Sequence, residues 1–166
     1  MEPLTERSIR DCFINCSKGE ARRMSIPRDL ETRPWADLDF FGWRDPGAPD
    51  RGFLVAEHDG GLVGVTLRAA PAVRRSFTKT TVCSVCVTSH PGTGVALLAA
   101  PRAGTAGRRG NTVGAYLCAD LECSLYIRGR KRTGGELRTQ ETLSLEQKVE
   151  RLHTNLAEFL AKVRVD

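Results

Sequence analysis

The clearest pattern of apolar and polar positions lies near the end of the chain. Apolar residues recur there at steps of three and four, namely Leu145, Val149, Leu152, Leu156, Phe159, Leu160 and Val163. Such a stripe is typical of an amphipathic helix that buries one face against the protein, and the mixed charge signs of the polar face do not favour a membrane surface. Ser144 and Gln147 have the spacing of a capping box. We therefore predict a long C-terminal helix that begins after Ser144 and reaches about Arg164.

The start of the chain predicts two short helices and an aromatic segment. Thr5 is a favourable N-cap for the first helix, whose apolar face is expected to extend to residues 13–15. Ser17 and Glu20 have the capping-box spacing for the second helix. A segment rich in tryptophan and phenylalanine follows at residues 34–43, and we expect its rings to lie in the core.

Short apolar runs predict β-strands in the middle of the chain, at residues 53–56, 62–67, 77–82, 95–100 and 111–117. The first two flank Asp59-Gly60-Gly61, a combination that favours a tight hairpin. Loops are predicted at residues 45–51 and, with a basic, glycine-rich composition, at residues 102–110. Asp120 is expected to cap a helix over residues 121–128, which Gly129 ends.

Together these elements predict an α+β protein with a small antiparallel sheet, short N-terminal helices and a long C-terminal helix. We divide the 166 residues into an N-terminal helical segment, residues 1–50, packed on a main domain, residues 51–166. No apolar run reaches the roughly 18 residues of a transmembrane helix, and the first residues lack a signal-peptide pattern. We therefore expect a cytoplasmic monomer without membrane contact, in which the cysteines stay reduced.

Four of the six cysteines form two close pairs. Two residues separate Cys83 from Cys86, four separate Cys118 from Cys123, and 31 lie between the pairs. Zinc takes four ligands in tetrahedral geometry, and thiolate pairs on separate elements provide them. A turn after a strand, a hairpin and a helix carrying the last ligand form a treble-clef zinc finger. We predict one structural zinc ion, because four protein ligands leave no open position for water or substrate.

Other reactive side chains offer weaker candidates. His90 follows Cys86 by four residues and is an alternative ligand, but we expect it on a surface loop. Cys12 and Cys16 are expected to be small buried apolar residues, with a redox or metal role as the alternative. Only three histidines occur, none beside a nucleophile motif, and the phosphate-binding loop ending in Lys-Ser/Thr is absent. We therefore predict that the protein is not an enzyme.

The formal charge of +5 is distributed unevenly. Between Arg68 and Arg138 there are 12 lysine and arginine residues and three acidic residues, a local charge of +9, whereas the rest of the chain sums to −4. Such a segment suits nucleic acid or an acidic protein surface, and an ordinary solvated basic face is the alternative.

Three strings around the cysteine pairs carry a resemblance. They are Cys83-Ser84-Val85-Cys86, Gly110-Asn111-Thr112-Val113-Gly114-Ala115-Tyr116-Leu117-Cys118 and Cys123-Ser124-Leu125-Tyr126-Ile127-Arg128. They resemble the FBP family, which includes the C-terminal treble-clef zinc finger of elongation factor G-binding proteins of the FusB type. Residues 15–20 and 35–46 also look like short members of that family, so the resemblance covers nearly the whole chain.

The resemblance implies a ribosome-associated protein that binds elongation factor G and promotes its release from the ribosome, as FusB-type relatives do in protecting translation from fusidic acid. It implies the zinc ligands Cys83, Cys86, Cys118 and Cys123, and it suggests as contact residues Arg108, Arg109, Tyr116 and Arg128. The N-terminal part is shorter than the helical bundle of FusB-type proteins, and residue 84 is serine rather than an exposed aromatic. We therefore expect binding to the factor more than resistance. The alternatives are a finger that binds ribosomal RNA or another nucleic acid, and a zinc-stabilised module with a different partner.

Overall fold

The computed structural model describes residues 1–71, 80–134 and 141–164. Their helices and strands are, in chain order, α1 Glu6–Asp11, α2 Lys18–Arg23, β1 Phe40–Asp45, β2 Ala48–His58, β3 Gly61–Ala69, β4 Thr80–Val82, β5 Ser89–Pro91, β6 Val95–Pro101, α3 Gly104–Arg108, β7 Thr112–Cys118, α4 Cys123–Ile127 and α5 Leu145–Arg164. Single 3-10 turns lie at Leu30–Thr32 and Trp35–Asp37. The predicted α+β class is confirmed.

Five strands form one antiparallel sheet in the order β1-β2-β3-β6-β7, and β4 pairs with β5 in a separate two-stranded hairpin. The predicted hairpin between β2 and β3 is confirmed, with His58 paired to Gly61. Its two central residues, Asp59 and Gly60, have φ values of 52° and 77°. Both are positive, as the tight hairpin turn between right-twisted strands requires.

Both faces of the sheet are buried along β2. Leu54 and Ala56 belong to the hydrophobic cluster that contains the paired cysteines and α5. Phe53 and Val55 belong to a second cluster, beneath the N-terminal helices. Successive side chains of a strand point to opposite faces, so a strand covered on both sides reads as a continuous apolar run. Because both faces of β2 are buried, residues 53–56 are all apolar and do not alternate between apolar and polar side chains.

The aromatic segment lies in the core, as predicted, and ends in a strand. Trp43 packs between the rings of Phe41 and Phe53, with centroid distances of 4.8 and 5.0 Å. The prediction of a loop at residues 45–51 is wrong, because β1 and β2 are joined by Pro46 and Gly47 alone. The turn-forming residues there mark a tight connection inside the sheet rather than a long loop. Residue 50 thus lies in β2, and the division of the chain at that position stays a prediction.

The first helix ends earlier than its apolar pattern predicts. α1 stops at Asp11, although the stripe continues to residues 13–15. Residues 12–14 instead pair with the edge of β3: Gly64 N donates to Cys12 O at 2.9 Å, and Ile14 N donates to Gly64 O at 3.0 Å. A Cβ on Gly64 would lie 2.8 Å from Cys12 Sγ, so the glycine permits this close approach. The hydrogen bonds to Gly64 of β3 therefore account for the end of α1 at Asp11.

The C-terminal helix is confirmed with its capping box. Ser144 N donates to Gln147 Oε1 at 2.9 Å, and Gln147 N donates to Ser144 Oγ at 3.3 Å. The buried face of α5 consists of Leu152, Leu156, Phe159, Leu160 and Val163. Among the described residues, no helix is both long and apolar enough to cross a bilayer. The predicted strand at residues 77–82 is described from Thr80 onward, and its residues 77–79 lie outside the described part.

Candidate metal centre

The two cysteine pairs meet at one point of the fold. Cys83 follows β4, and Cys86 lies in the turn between β4 and β5. Cys118 is the last residue of β7, and Cys123 is the first of α4. All four side chains are buried, and their Sγ atoms lie within 4.8 Å of one another. Among the residues that the structure describes, these four cysteines are the group of potential metal ligands that the fold brings together.

The geometry fits one zinc ion. Cys83 Sγ lies 3.7 Å from Cys123 Sγ, and Cys86 Sγ lies 3.5 Å from Cys118 Sγ. Four sulfur atoms that each bind zinc at about 2.3 Å in a tetrahedron lie about 3.8 Å apart, so the observed edges are close to that figure. Hydrogen bonds from Cys118 and the other neighbouring thiols lower the pKa of Cys83, and those from Cys118 and Cys83 raise the pKa of Cys123, so one thiol of the group ionises before the others. The four cysteines form a closed, structural zinc site of the treble-clef type.

The backbone conformation of the turn that contains Cys83 and Cys86 directs both side chains to the zinc site. Val85 N donates to Cys83 Sγ at 3.4 Å, and Val87 N donates to Cys83 O at 3.0 Å. Val87 has a φ of 61°, a left-handed conformation that is unfavourable for a β-branched residue. The pairing of β4 with β5 on either side of the turn holds this conformation in place. The turn therefore presents both sulfur atoms to the same point.

His90 corrects one prediction, since it lies beside the centre and not on a surface loop. Only 3% of the residue is exposed, because its pairing with Thr81 in the β4–β5 hairpin directs it inward. Its Nε2 lies 3.2 Å from Cys118 Sγ, and its ring packs edge-on against Tyr126 at 4.6 Å. Burial lowers the pKa of His90, which favours a neutral ring with one N–H to donate. His90 therefore supports a ligand by hydrogen bonding, and the four-residue spacing from Cys86 was its only signal in the sequence.

A charged network covers the same side of the centre. Asp120 accepts hydrogen bonds from Tyr126 Oη at 2.7 Å and from Glu122 N at 3.1 Å. Lys131 Nζ lies 2.8 Å from Asp120 Oδ2 and also pairs with Glu122. Burial acts to raise the pKa of Asp120, but the bonds from Lys131 and Tyr126 outweigh it, so the pKa lies below its usual range. The prediction that Asp120 caps a helix from Leu121 is wrong, because α4 begins at Cys123 with Glu122 as its N-cap residue, and Asp120 instead accepts from Glu122 N in the turn before the helix.

The C-terminal helix is attached to the turn between the first two cysteines. Asn155 Nδ2 donates to Val85 O at 3.0 Å, and Arg151 Nη2 donates to Cys86 O at 3.3 Å. Both carbonyls lie in the buried turn, where an unpaired acceptor costs free energy. α5 therefore serves two purposes: it fills the core, and it holds the backbone of the metal site.

Arg128, a candidate contact residue, is engaged inside the protein. Its guanidinium group forms two hydrogen bonds with the carboxylate of Asp39, one of them at 3.0 Å, and only 15% of its side chain is exposed. His153 Nε2 contacts the same carboxylate at 3.0 Å. Burial acts to raise the pKa of Asp39, but Arg128 and its other partners lower it overall. Arg128 thus links α4 to the start of β1 and, through Asp39, to α5.

The other three candidate contact residues lie at the surface. The predicted glycine-rich loop contains the single helical turn α3, and its Ala103 N donates to Val163 O of α5 at 2.8 Å, which anchors it. Arg108 and Arg109 are exposed at the end of that turn. Tyr116 is 40% exposed on β7, opposite the exposed Leu97 of β6.

Cys12 and Cys16 lie apart from the zinc site. Both are half-buried against the N-terminal cluster. Burial raises the pKa of Cys12 to about 12 and that of Cys16 to about 11. Both thiols therefore stay protonated at neutral pH, in keeping with the expectation that they serve as small packing residues.

Comparison with known proteins agrees with this geometry. The model of the family described as FBP C-terminal treble-clef zinc-finger matches residues 8–163. Neither a curated protein nor a solved structure matches the chain. The match extends from α1 into the last turn of α5 and includes all four zinc ligands. The chain therefore belongs to the FBP C-terminal treble-clef zinc-finger family.

Proposed function

We propose that this protein is a non-enzymatic accessory factor of translation that binds elongation factor G and modulates its release from the ribosome. Family membership supports a translation factor as partner. The observation that carries the proposal is an exposed tyrosine on β7 whose backbone is bonded to the zinc turn, on the strand that follows two exposed arginines. We call the exposed residues Leu97, Arg108, Arg109 and Tyr116 the β7 surface.

The centre of the β7 surface is held by the zinc turn. Ser84 N donates to Tyr116 O at 2.6 Å, so the backbone of Tyr116 is attached directly to the residue between the first two cysteines. Leu97 is the direct cross-strand partner of Tyr116. Exposed aromatic residues next to arginines are enriched in protein interfaces, where a buried ring supplies much of the binding energy. The zinc ion thus has a function in binding: it fixes the strand that carries the ring.

The basic margin supports an acidic partner. Part of the positive segment is neutralised internally, because Arg68, Arg128 and Arg130 pair with Asp50, Asp39 and Asp37. Arg108 and Arg109, in contrast, form no ion pair with any described residue. Two adjacent exposed cations just ahead of the strand that carries Tyr116 suit a partner with a negative surface and accelerate association with it.

A calorimetric titration tests the proposal. We would titrate the zinc-loaded protein into purified elongation factor G at about 150 mM salt, where exposed charges more than about 8 Å apart are screened. The expected result is saturable one-to-one binding that Tyr116→Ala and the double variant Arg108→Glu/Arg109→Glu each weaken at least tenfold. Arg22→Glu/Arg23→Glu is the matched control, since it reverses two adjacent exposed arginines on α2 and should bind like the wild type. Absence of binding, or equal loss in both double variants, would contradict the proposal.

Ribosomal RNA is the second candidate partner, and Arg108 and Arg109 are the observation that favours it. Phosphate contacts release counterions, so RNA binding should weaken steeply with salt concentration, whereas binding through Tyr116 and Leu97 should weaken much less. Titrations of both partners at several salt concentrations therefore separate the two functions.

A further inference from the structure

Among the residues that the structure describes, three that are not glycine have a left-handed backbone conformation. They are Asp59, Val87 and Leu121, with φ values of 52°, 61° and 62°. This conformation costs free energy for every residue that has a Cβ, and the cost is highest for a residue that is branched at Cβ. Each of the three therefore needs a compensating interaction.

The fold provides that compensation for two of them. Asp59 lies in the tight turn between β2 and β3, where a short polar residue tolerates the left-handed conformation. Leu121 is only 2% exposed and belongs to the hydrophobic cluster around the cysteines, so the burial of its side chain offsets the strain.

Within the described part of the chain, nothing comparable compensates Val87. The residue is 37% exposed and belongs to neither hydrophobic cluster. Its backbone is held in place, because Val87 N donates to Cys83 O, and Asn155 and Arg151 bind the two preceding carbonyl groups. Glycine would form the same turn without strain. Strain that the fold holds in place without using it is concentrated at sites of ligand or partner contact.

The surroundings of Val87 are apolar and uncharged. Val82 of β4 is 46% exposed. Cys83 N donates to Thr88 O at 3.0 Å, so the residues next to them in the chain, Val82 and Val87, lie at the same end of the β4–β5 hairpin. Residues 80–101 contain no lysine, arginine, aspartate or glutamate, although they belong to the positive middle of the chain. This composition suits an apolar surface of a protein and offers no cation to a phosphate group.

We propose that Val87, together with Val82, contacts an apolar pocket of elongation factor G, and that the strain at Val87 is retained for this contact. The inference rests on the function proposed above and adds a second contact to it, on the zinc turn. Ser84 lies between the two valines in the chain, and its N–H donates to Tyr116 O at 2.6 Å. The zinc turn therefore adjoins the strand that carries Tyr116, and one partner can contact both.

Val87→Gly separates stability from binding, because glycine removes the strain and the side chain together. The melting temperature of the zinc-loaded protein should rise by about 2–6 °C, the gain from relieved strain exceeding the cost of the freer unfolded chain. Affinity for elongation factor G, measured by calorimetry, should fall about five- to tenfold through the loss of buried apolar area. A purely structural role of Val87 predicts a lower melting temperature and unchanged affinity. Val82→Ser, outside the left-handed region, should weaken binding severalfold without a gain in stability.

Asp59→Gly is the matched control, because it introduces glycine at another left-handed position, in the turn between β2 and β3. It should leave the affinity unchanged. The fold-change caused by Val87→Gly should be the same at low and at high salt, since the zinc turn carries no charged side chain. The fold-change caused by Arg108→Glu/Arg109→Glu should instead become smaller as the salt concentration rises.

The outcomes distinguish this inference from the proposed function. Wild-type affinity in Val87→Gly, combined with weaker binding by Tyr116→Ala, would overturn the valine contact and leave the proposed function in place. Absence of binding by the wild-type protein would overturn both. A lower melting temperature for Val87→Gly would show that the fold itself requires the valine, and would overturn the inference that its strain is retained for binding.

Discussion

The buried ion pair between Asp39 and Arg128 yields a prediction with a calculable magnitude. Asp39→Asn keeps the shape of the side chain and removes its charge, which leaves the Arg128 guanidinium group without a counter-charge. The side chains are 4% and 15% exposed, so solvent replaces little of the lost interaction. Removing one partner of a buried pair costs about 3–5 kcal/mol, and the amide oxygen retains one hydrogen bond, so we expect about 3 kcal/mol. For a chain of this size the melting temperature should fall by about 6–12 °C.

Urea denaturation followed by circular dichroism measures this loss as a lower midpoint at an unchanged slope. Asp37→Asn is the matched control, two residues away, because 68% of the side chain of its partner Arg130 and 31% of its own are exposed. An exposed pair of this kind contributes less than about 1 kcal/mol. A loss below about 1 kcal/mol for Asp39→Asn would refute the structural role of the pair and return Arg128 to the candidate contact residues.

The ion pair between Asp39 and Arg128 also predicts how the stability of the fold changes with pH. Because the pKa of Asp39 is lower in the folded protein, its contribution to stability is complete above the pKa of about 3.9 of an unfolded aspartate. That contribution is lost as the pH falls from there through the folded pKa. The stability difference between the wild type and Asp39→Asn should therefore be constant near neutral pH and shrink below about pH 4.

Three further predictions concern the zinc site and its support. Metal analysis should find one zinc ion per chain, and Cys118→Ser should lose it and unfold at lower temperature; freshly purified wild-type protein without zinc would contradict the site. Gly42→Ala should destabilise by about 3 kcal/mol in urea denaturation, because its Cβ would stand 2.5 Å from Leu121 Cβ, and an unchanged midpoint would show that β1 and the turn carrying Leu121 separate easily. Asn155→Ala should cost roughly 1–2 kcal/mol by leaving Val85 O unpaired, and wild-type stability would exclude α5 as a support of the turn.

The local signals in the sequence were sufficient for the elements that depend on neighbouring residues. Thr5, Ser17 and Ser144 all cap helices as predicted, because a cap is made by atoms within three residues. The Asp59-Gly60 turn was predictable for the same reason. Zinc imposes its ligand types and spacing on the chain, so the paired cysteines identified the metal centre without knowledge of the fold.

Contacts between distant residues could not be predicted in this way. Asn15 attaches the segment after the first helix to the sheet: its amide donates to Thr66 O and Pro101 O, which lie 51 and 86 residues away. The ion pair of Arg128 with Asp39 spans 89 residues, and nothing near Arg128 indicates it. Each of these side-chain contacts depends on which helices and strands are neighbours in space. That arrangement is determined by the packing of the whole core and not by any local segment.

The sequence by itself thus determined the caps, the hairpin, the C-terminal helix and the four zinc ligands, since these follow from local hydrogen bonding and metal chemistry. Only the tertiary structure decided that His90 supports Cys118 and that Arg128 is engaged internally while Arg108 stays at the surface. The physical reason is that burial and charge pairing are properties of a position in space. Arg108 and Arg128 both lie in basic segments of the sequence, but packing places only Arg128 against a buried carboxylate, that of Asp39.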